Sequence, residues 1–209
     1  SAKIWYNFAM NRQCKLCPVE CGADRTTECG ACGAGDTMRV AKYGLHPYEE
    51  PCISCKNGSG TVFFSGCALR CVFCQNFELS RARVGQEVTP ERLAAIFREL
   101  EEMGAENINL VTASHYVPQL IKTFAIYRPK IPVVYNTHSY EKLEALRALD
   151  RYIDVYLPDM KYFSPKISAR YTGKADYFEY ASEAVKFMAS RAPQFEGDKM
   201  VAGCIVRHL

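Results

Sequence analysis

From residue 61 onward, apolar positions follow two alternating rhythms. Short β-branched or aromatic runs give way to segments of helical period, and then return, which predicts βα units around a parallel sheet. Strands are predicted at residues 61–65, 107–112, 132–136, 153–157 and 200–207. Helices are predicted at residues 90–103, 116–127, 140–149, 164–171 and 176–190, the first with Thr89 as N-cap and Pro90 at its first position. Consecutive units of this length curl into a full or partial barrel, whose functional loops lie at the C-terminal ends of the strands. The fifth strand runs to the last residue, Leu209, with no helix after it. The expectation is an α/β partial barrel shortened at its C-terminus.

Residues 1–60 differ: they are rich in Cys, Gly and turn formers and show no sustained period. A metal has to replace a hydrophobic core there, so the chain divides into a Cys-rich metal-binding segment, 1–60, and an α/β domain, 61–209. The 209 residues are 48% hydrophobic, enough for one substantial core with a small appendage. Net charge is +3, and no Lys/Arg run is long enough to mark a nucleic-acid or membrane-surface footprint. No apolar stretch approaches the ~20 residues of a membrane span, and residues 1–10 lack a secretory signal's layout, so a cytoplasmic protein is expected.

The cysteines change this picture most. There are 11, of which 10 lie in the first 74 residues in tight pairs, a grouping that favours metal ligation over disulfides. Directly after the first predicted strand stands Ser65-Gly66-Cys67-Ala68-Leu69-Arg70-Cys71-Val72-Phe73-Cys74-Gln75-Asn76. Its three thiolates, Cys67, Cys71 and Cys74, suit three irons of a 4Fe-4S cubane and leave the fourth iron open. That iron can chelate the amino and carboxylate groups of S-adenosylmethionine (SAM), so that one electron cleaves a carbon–sulfur bond and releases a 5'-deoxyadenosyl radical. Upstream, Cys14-x2-Cys17 and Cys29-x2-Cys32 are spaced like a zinc ribbon, and an auxiliary iron-sulfur cluster is equally sound chemically. With Cys21, Cys52 and Cys55 the thiols exceed one tetrahedral site. Cys204, in a predicted strand, reads as a small buried hydrophobe.

The chain resembles the radical SAM superfamily, within it the relatives of pyruvate formate-lyase activating enzyme, and among these an uncharacterised iron-sulfur branch. The likeness is carried by Cys14-Lys15-Leu16-Cys17-Pro18, Leu45-His46-Pro47-Tyr48-Glu49-Glu50-Pro51, Phe63-Phe64-Ser65-Gly66-Cys67, Asn107-Ile108-Asn109-Leu110-Val111-Thr112 and Asp154-Val155-Tyr156-Leu157-Pro158-Asp159. It implies six βα units, of which these residues supply five. It also implies that Phe73 packs near the SAM adenine, and that the second metal is held by Cys14, Cys17, Cys21 and Cys32, with Cys29, Cys52 and Cys55 as additions.

Activating enzymes carry Gly-Gly-Glu after the second strand to receive the SAM amino group. This chain has Thr112-Ala113-Ser114-His115, so the polar partner there becomes Thr112, Ser114 or His115. By the same resemblance, Asn136, Thr137 and Asp159 line a monovalent-cation site beside the SAM carboxylate. Lys161 either pairs with Asp159 or reaches that carboxylate, and Arg207 and His208 approach SAM from the fifth strand. The implied activity is hydrogen abstraction from a protein or peptide, as in activation of a glycyl radical enzyme, with flavodoxin or ferredoxin as electron donor. The alternatives are a small-molecule substrate, or a non-catalytic electron-transfer or structural protein.

Overall fold

A computed structural model describes residues 13–208. Strand β1 (Met38–His46) leads through the helical turn α1 (Pro51–Ser54) to β2 (Ser59–Phe64). After the cysteine loop come α2 (Phe77–Arg81), β3 (Gln86–Val88) and α3 (Pro90–Glu102). The alternation continues with β4 (Ile108–Val111), α4 (Val117–Ile126), β5 (Val133–Thr137), α5 (Leu143–Leu149) and β6 (Val155–Met160). Helices α6 (Pro165–Thr172) and α7 (Tyr177–Ala189) precede β7 (Gln194–Glu196), β8 (Lys199–Cys204) and β9 (Arg207–His208).

The result is a mixed α/β structure with a central sheet in the order β3-β1-β2-β4-β5-β6-β8-β7, and β9 also pairs with β6. β2, β4, β5, β6 and β8 run parallel, while β1, β3 and β7 are antiparallel additions at the flanks. Parallel strands bring the C-terminal ends of β2, β4, β5 and β6 to one edge, and with them the cysteine loop and the turns after β4, β5 and β6.

Side chains alternate across the sheet with period two. Val62, Phe64, Ile108, Leu110, Val133, Tyr135 and Tyr156 turn to one face and form the main core with Leu93, Phe97 and Leu100 of α3, Leu120 and Phe124 of α4 and Met188 of α7. Each such buried aliphatic or aromatic side chain contributes roughly 1.5–3 kcal/mol. The opposite face carries Val134, Val155 and Leu157, which pack with Ile53 and Met200, together with the buried polar residues Thr61, Asn109, Asn136 and Asp159.

Local chemistry explains the boundaries. Thr89 caps α3 by accepting from the Arg92 N–H at 3.2 Å, and Ser164 caps α6, which ends at Gly173 with φ +72°. The predicted helix at 140–149 starts only at Leu143, because Ser139 takes a positive φ of 63° and the Tyr140 N–H donates to His138 Nδ1. The predicted strand at 200–207 is two strands, β8 and β9, in a common register on β6. Their interruption lies opposite Pro158, which has no N–H to give the ladder. Residues 38–46, expected to be irregular, form β1. Only its first half alternates buried and exposed positions, so its period is too short to register in the sequence. Among the described residues, no helix is long and apolar enough to cross a membrane.

Candidate functional site

The loop from Ser65 to Asn76 leaves β2 at the C-terminal edge of the sheet, through a position that only glycine suits. Gly66 has φ +91°, and a Cβ there would stand 2.8 Å from the carbonyl oxygen of Cys32. The Gly66 N–H donates to the carbonyl of Leu79, and the Cys67 N–H to that of Cys32, so the N-terminal segment lies directly against the loop. Cys67 and Cys71 are buried and Cys74 is half-buried. All three pack in one cluster with Leu69, Tyr140, Tyr162 and Tyr177. Burial pushes the Cys67 thiol up to about 12, and the neighbouring Cys71 and Cys74 push it the same way. Burial also raises Cys71, against the pull of the nearby Lys161 ammonium and the Tyr162 hydroxyl. Burial thus opposes the thiolate form of Cys67 and Cys71.

The turn after β4 braces that loop. His115 is buried, and its Nε2 donates to the Ser65 carbonyl at 2.8 Å, a partner that can only accept and so fixes the proton on Nε2. Its Nδ1 is buried without a partner. Burial lowers the His115 pKa to about 3, so the ring is neutral. Ser114 Oγ lies 3.4 Å from His138 Nε2, and His138 Nδ1 accepts from the Tyr140 N–H, so His138 donates to Ser114. Burial, with the nearby Lys161 charge acting in the same direction, lowers the His138 pKa to about 4. Thr112, at the end of β4, holds φ +56°, a costly conformation for a β-branched residue.

On the neighbouring strands, Asp159 is gripped from both sides: Lys161 Nζ lies 2.7 Å from one carboxylate oxygen and Arg207 Nε 2.7 Å from the other. The same guanidinium donates from a second nitrogen to Asn136 Oδ1 at 2.7 Å. Thr137 turns away and donates its hydroxyl to the buried carboxylate of Glu141. The oxygens expected to hold a monovalent cation are therefore taken by two resident cations, and Thr137 does not join them. His208 is exposed in β9. Phe73 is about half exposed, 53%, with its ring 5.8 Å from Tyr171 and 6.3 Å from Tyr162. It stands at the rim of the loop, free to take an aromatic ring.

Sequence reasoning did not single out Tyr177. Its buried hydroxyl sits among the Lys161 N–H and the carbonyls of Asp159 and His138, tying the ends of β5 and β6 together. Nor did it single out Arg25, which donates to the carbonyls of His115, at 2.7 Å, and Gly35. Neither lies in a motif, and only tertiary contact gives them a role.

The N-terminal thiols fall into groups. Cys14, Cys17, Cys21 and Cys32 lie close together: the Cys17 thiol is pushed up to about 11, first by burial and then by Cys32, Cys14 and Cys21. The sulfurs of Cys21 and Cys32 would lie 3.2 and 3.7 Å from a Cβ at Gly30. Cys29 instead lines a surface cleft with Arg25, Arg39 and Arg83. Cys52 and Cys55 sit at α1, the Cys55 thiol 3.7 Å from the Cys52 carbonyl, and Cys52 packs against the second apolar cluster. Cys204 packs at the edge of the main core.

Among the described residues, no three Cys, His, Asp or Glu side chains converge on the position of a single metal ion. Thiolates sharing one zinc stand within about 4 Å of one another, given a Zn–S bond near 2.3 Å. A cubane cluster places each thiolate on a different iron, so three thiols on one loop, adjacent but not convergent, fit that group.

Residues 61–193 match the Radical SAM superfamily. The chain is also 28% identical, over 177 residues, to an uncharacterised protein of Methanocaldococcus jannaschii, an alignment that covers 80% of this chain and 51% of the relative. The chain thus spans about half the length of that relative. A family match that begins inside β2 and takes in the cysteine loop and the turns after β4, β5 and β6 settles the identity: the chain belongs to the radical SAM superfamily.

Proposed function

We propose that this chain holds a 4Fe-4S cluster on Cys67, Cys71 and Cys74, cleaves SAM reductively, and directs the resulting radical at a protein or peptide substrate, in the manner of a glycyl-radical-activating enzyme. The observation that carries the reading is the placement of the three thiols. They share one loop, at the edge where β2, β4, β5 and β6 all end, and pack in one cluster in which burial raises the Cys67 and Cys71 thiols. When bound, the cluster supplies the electron that splits SAM into methionine and a 5'-deoxyadenosyl radical.

The chain's own groups have separable tasks. Cys67, Cys71 and Cys74 bind iron, and Lys161 sets positive charge beside Cys71. Phe73 offers an aromatic face to the adenine. His115 holds the loop by its bond to Ser65, a positioning role, so of the three residues replacing Gly-Gly-Glu, Thr112 and Ser114 are the ones left to meet the SAM amino group. Asp159 and Asn136 keep Arg207 beside the site, where it can receive a carboxylate. The central sheet curls as the partial barrel of this superfamily, with the substrate approaching from the open strand ends. Cys14, Cys17, Cys21 and Cys32, close together but not convergent on one ion, hold an auxiliary iron-sulfur cluster that stabilises the segment packed on the loop.

The substrate is tested by anaerobic incubation with SAM, a reduced flavodoxin or ferredoxin, and candidate glycyl radical enzymes. A protein-based doublet in electron paramagnetic resonance is expected. SAM cleavage coupled to turnover of a free metabolite, with no protein radical, would shift the reading to a small-molecule substrate.

A further inference from the structure

On the face of the sheet away from the helices, below the strand ends, lies a polar cluster that the SAM chemistry does not use. Asn109 is wholly buried in β4, beside Thr61 of β2, and its side-chain amide makes no close hydrogen bond, reaching the Glu49 carboxyl only at longer range. It faces Glu49, a carboxyl with a side-chain exposure of 9% that burial pushes up in pKa, while Arg207 and the Asn109 amide draw it down. Glu50 stands beside it. Both carboxylates look to Arg207, but at 3.6 and 3.7 Å, beyond good hydrogen bonds. The guanidinium gives its close contacts to Asp159 and Asn136 instead, each at 2.7 Å.

Charge and hydrogen-bond capacity point the same way. Glu49, Glu50 and Asp159 stand against the permanent cations Arg207 and Lys161, with His46 near Glu49. Carboxyl groups therefore outnumber the permanent cations of the cluster. Acceptors are in surplus: Glu49 and Glu50 meet Arg207 only at 3.6 and 3.7 Å, and the buried Asn109 Oδ1 has no donor. A buried amide oxygen without a donor is destabilising, and a ligand that brings donors relieves it. Glu50 and Arg207, each about a quarter exposed, mark the way in.

We propose that Glu49, Glu50 and Asn109 form a recognition site for a cationic amine, the ammonium group of the molecule from which hydrogen is taken. Three N–H donors and one positive charge match the surplus of acceptors and the excess of carboxyl groups over permanent cations. Asn109 lies two residues before the end of β4, so the ammonium sits about 7 Å deeper than the strand-end turns, at ~3.3 Å per residue. This deepens the proposed function and rests on it only for the identity of the ligand as substrate.

The test uses hexylammonium as probe, with hexanol and hexanoate as controls, and the full-length chain. Hexylammonium is expected to bind more tightly than either control, and Glu49→Gln and Asn109→Ala are each expected to weaken it at least tenfold without changing hexanol. Asn109→Ala removes only the long contact of the amide with Glu49, so its thermal midpoint should stay near that of the unmodified protein, and it carries the test where Glu49→Gln melts early. The Cys71→Ala protein should bind the probe with unchanged affinity, which separates this site from the cluster chemistry. Equal binding of hexylammonium and hexanol, or undiminished hexylammonium binding by Asn109→Ala, would overturn the proposal.

Discussion

His115 donates its Nε2–H to the carbonyl of Ser65 at 2.8 Å, so the turn after β4 holds the start of the cysteine loop after β2. The bond requires a neutral ring, and burial supplies one by lowering the pKa to about 3. His138, lowered to about 4, behaves alike. Both folded-state values lie below the unfolded 6.5, so their contribution is present above pH 6.5 and is lost as pH falls toward 4 and then 3.

Glu141 acts in the opposite direction. Burial raises it from 4.5 to about 7, so its contribution is present at low pH and is lost as pH rises through 7. Between pH 6.5 and 5 the two histidines cost about 3 kcal/mol, the unfolded rings being only half protonated at pH 6.5, and Glu141 returns about 1.5 kcal/mol. Denaturant unfolding of the metal-free chain should show a net loss of about 1–2 kcal/mol over that window. A flat profile would mean that these rings are not buried neutral.

Gly66→Ala places a methyl group 2.8 Å from the Cys32 carbonyl oxygen, in a backbone conformation at φ +91°. The left-handed conformation alone costs about 1–2 kcal/mol, and the clash pushes the N-terminal segment off the loop. Reconstituted Gly66→Ala protein should therefore carry less iron and melt earlier. Full iron content at an unchanged melting temperature would contradict the close packing.

Tyr177→Phe leaves the Lys161 N–H without its hydroxyl partner and frees two carbonyls at the ends of β5 and β6. The expected cost is about 1–3 kcal/mol, measured by chemical unfolding, for an unsatisfied buried group. SAM affinity should fall as well, because Asp159 and Lys161 lose their anchor. A stability within 0.5 kcal/mol of the unmodified protein, about the size of an ordinary surface change, would place the hydroxyl outside this network.

For the N-terminal thiols, replacing Cys14, Cys17, Cys21 or Cys32 should cost bound metal and stability, whereas Cys29→Ser should cost neither. The four lie together, and Cys29 lines a surface cleft. Metal analysis of the Cys67→Ala, Cys71→Ala, Cys74→Ala triple variant isolates this second site. Equal loss from Cys29→Ser would reassign the ligands.

How much of this was legible beforehand follows from where the signal is local. The spacing Cys67, Cys71, Cys74 and the cap pair Thr89 and Pro90 are short-range patterns, and they mark the loop and α3 directly. β1 escaped because Met38 to His46 alternates over only part of its length and gains its place by pairing with β2. The cation site was expected at Asn136, Thr137 and Asp159 because the resemblance to activating enzymes implies one at these strand ends. Nothing local to those residues says that Arg207, 48 positions beyond Asp159, occupies them, or that Thr137 turns to Glu141. Tyr177 and Arg25 likewise act through contacts that no sequence period encodes.

The central claim is that Cys67, Cys71 and Cys74 hold the cluster that cleaves SAM. It is tested most directly by quantifying 5'-deoxyadenosine from the anaerobically reconstituted protein, with SAM and dithionite, beside the Cys71→Ala variant matched for folding by circular dichroism. The account predicts 5'-deoxyadenosine from the unmodified protein, and a loss of at least a hundredfold in the variant, along with the visible absorbance of the cluster. A folded Cys71→Ala protein that forms 5'-deoxyadenosine at the unmodified rate would contradict it.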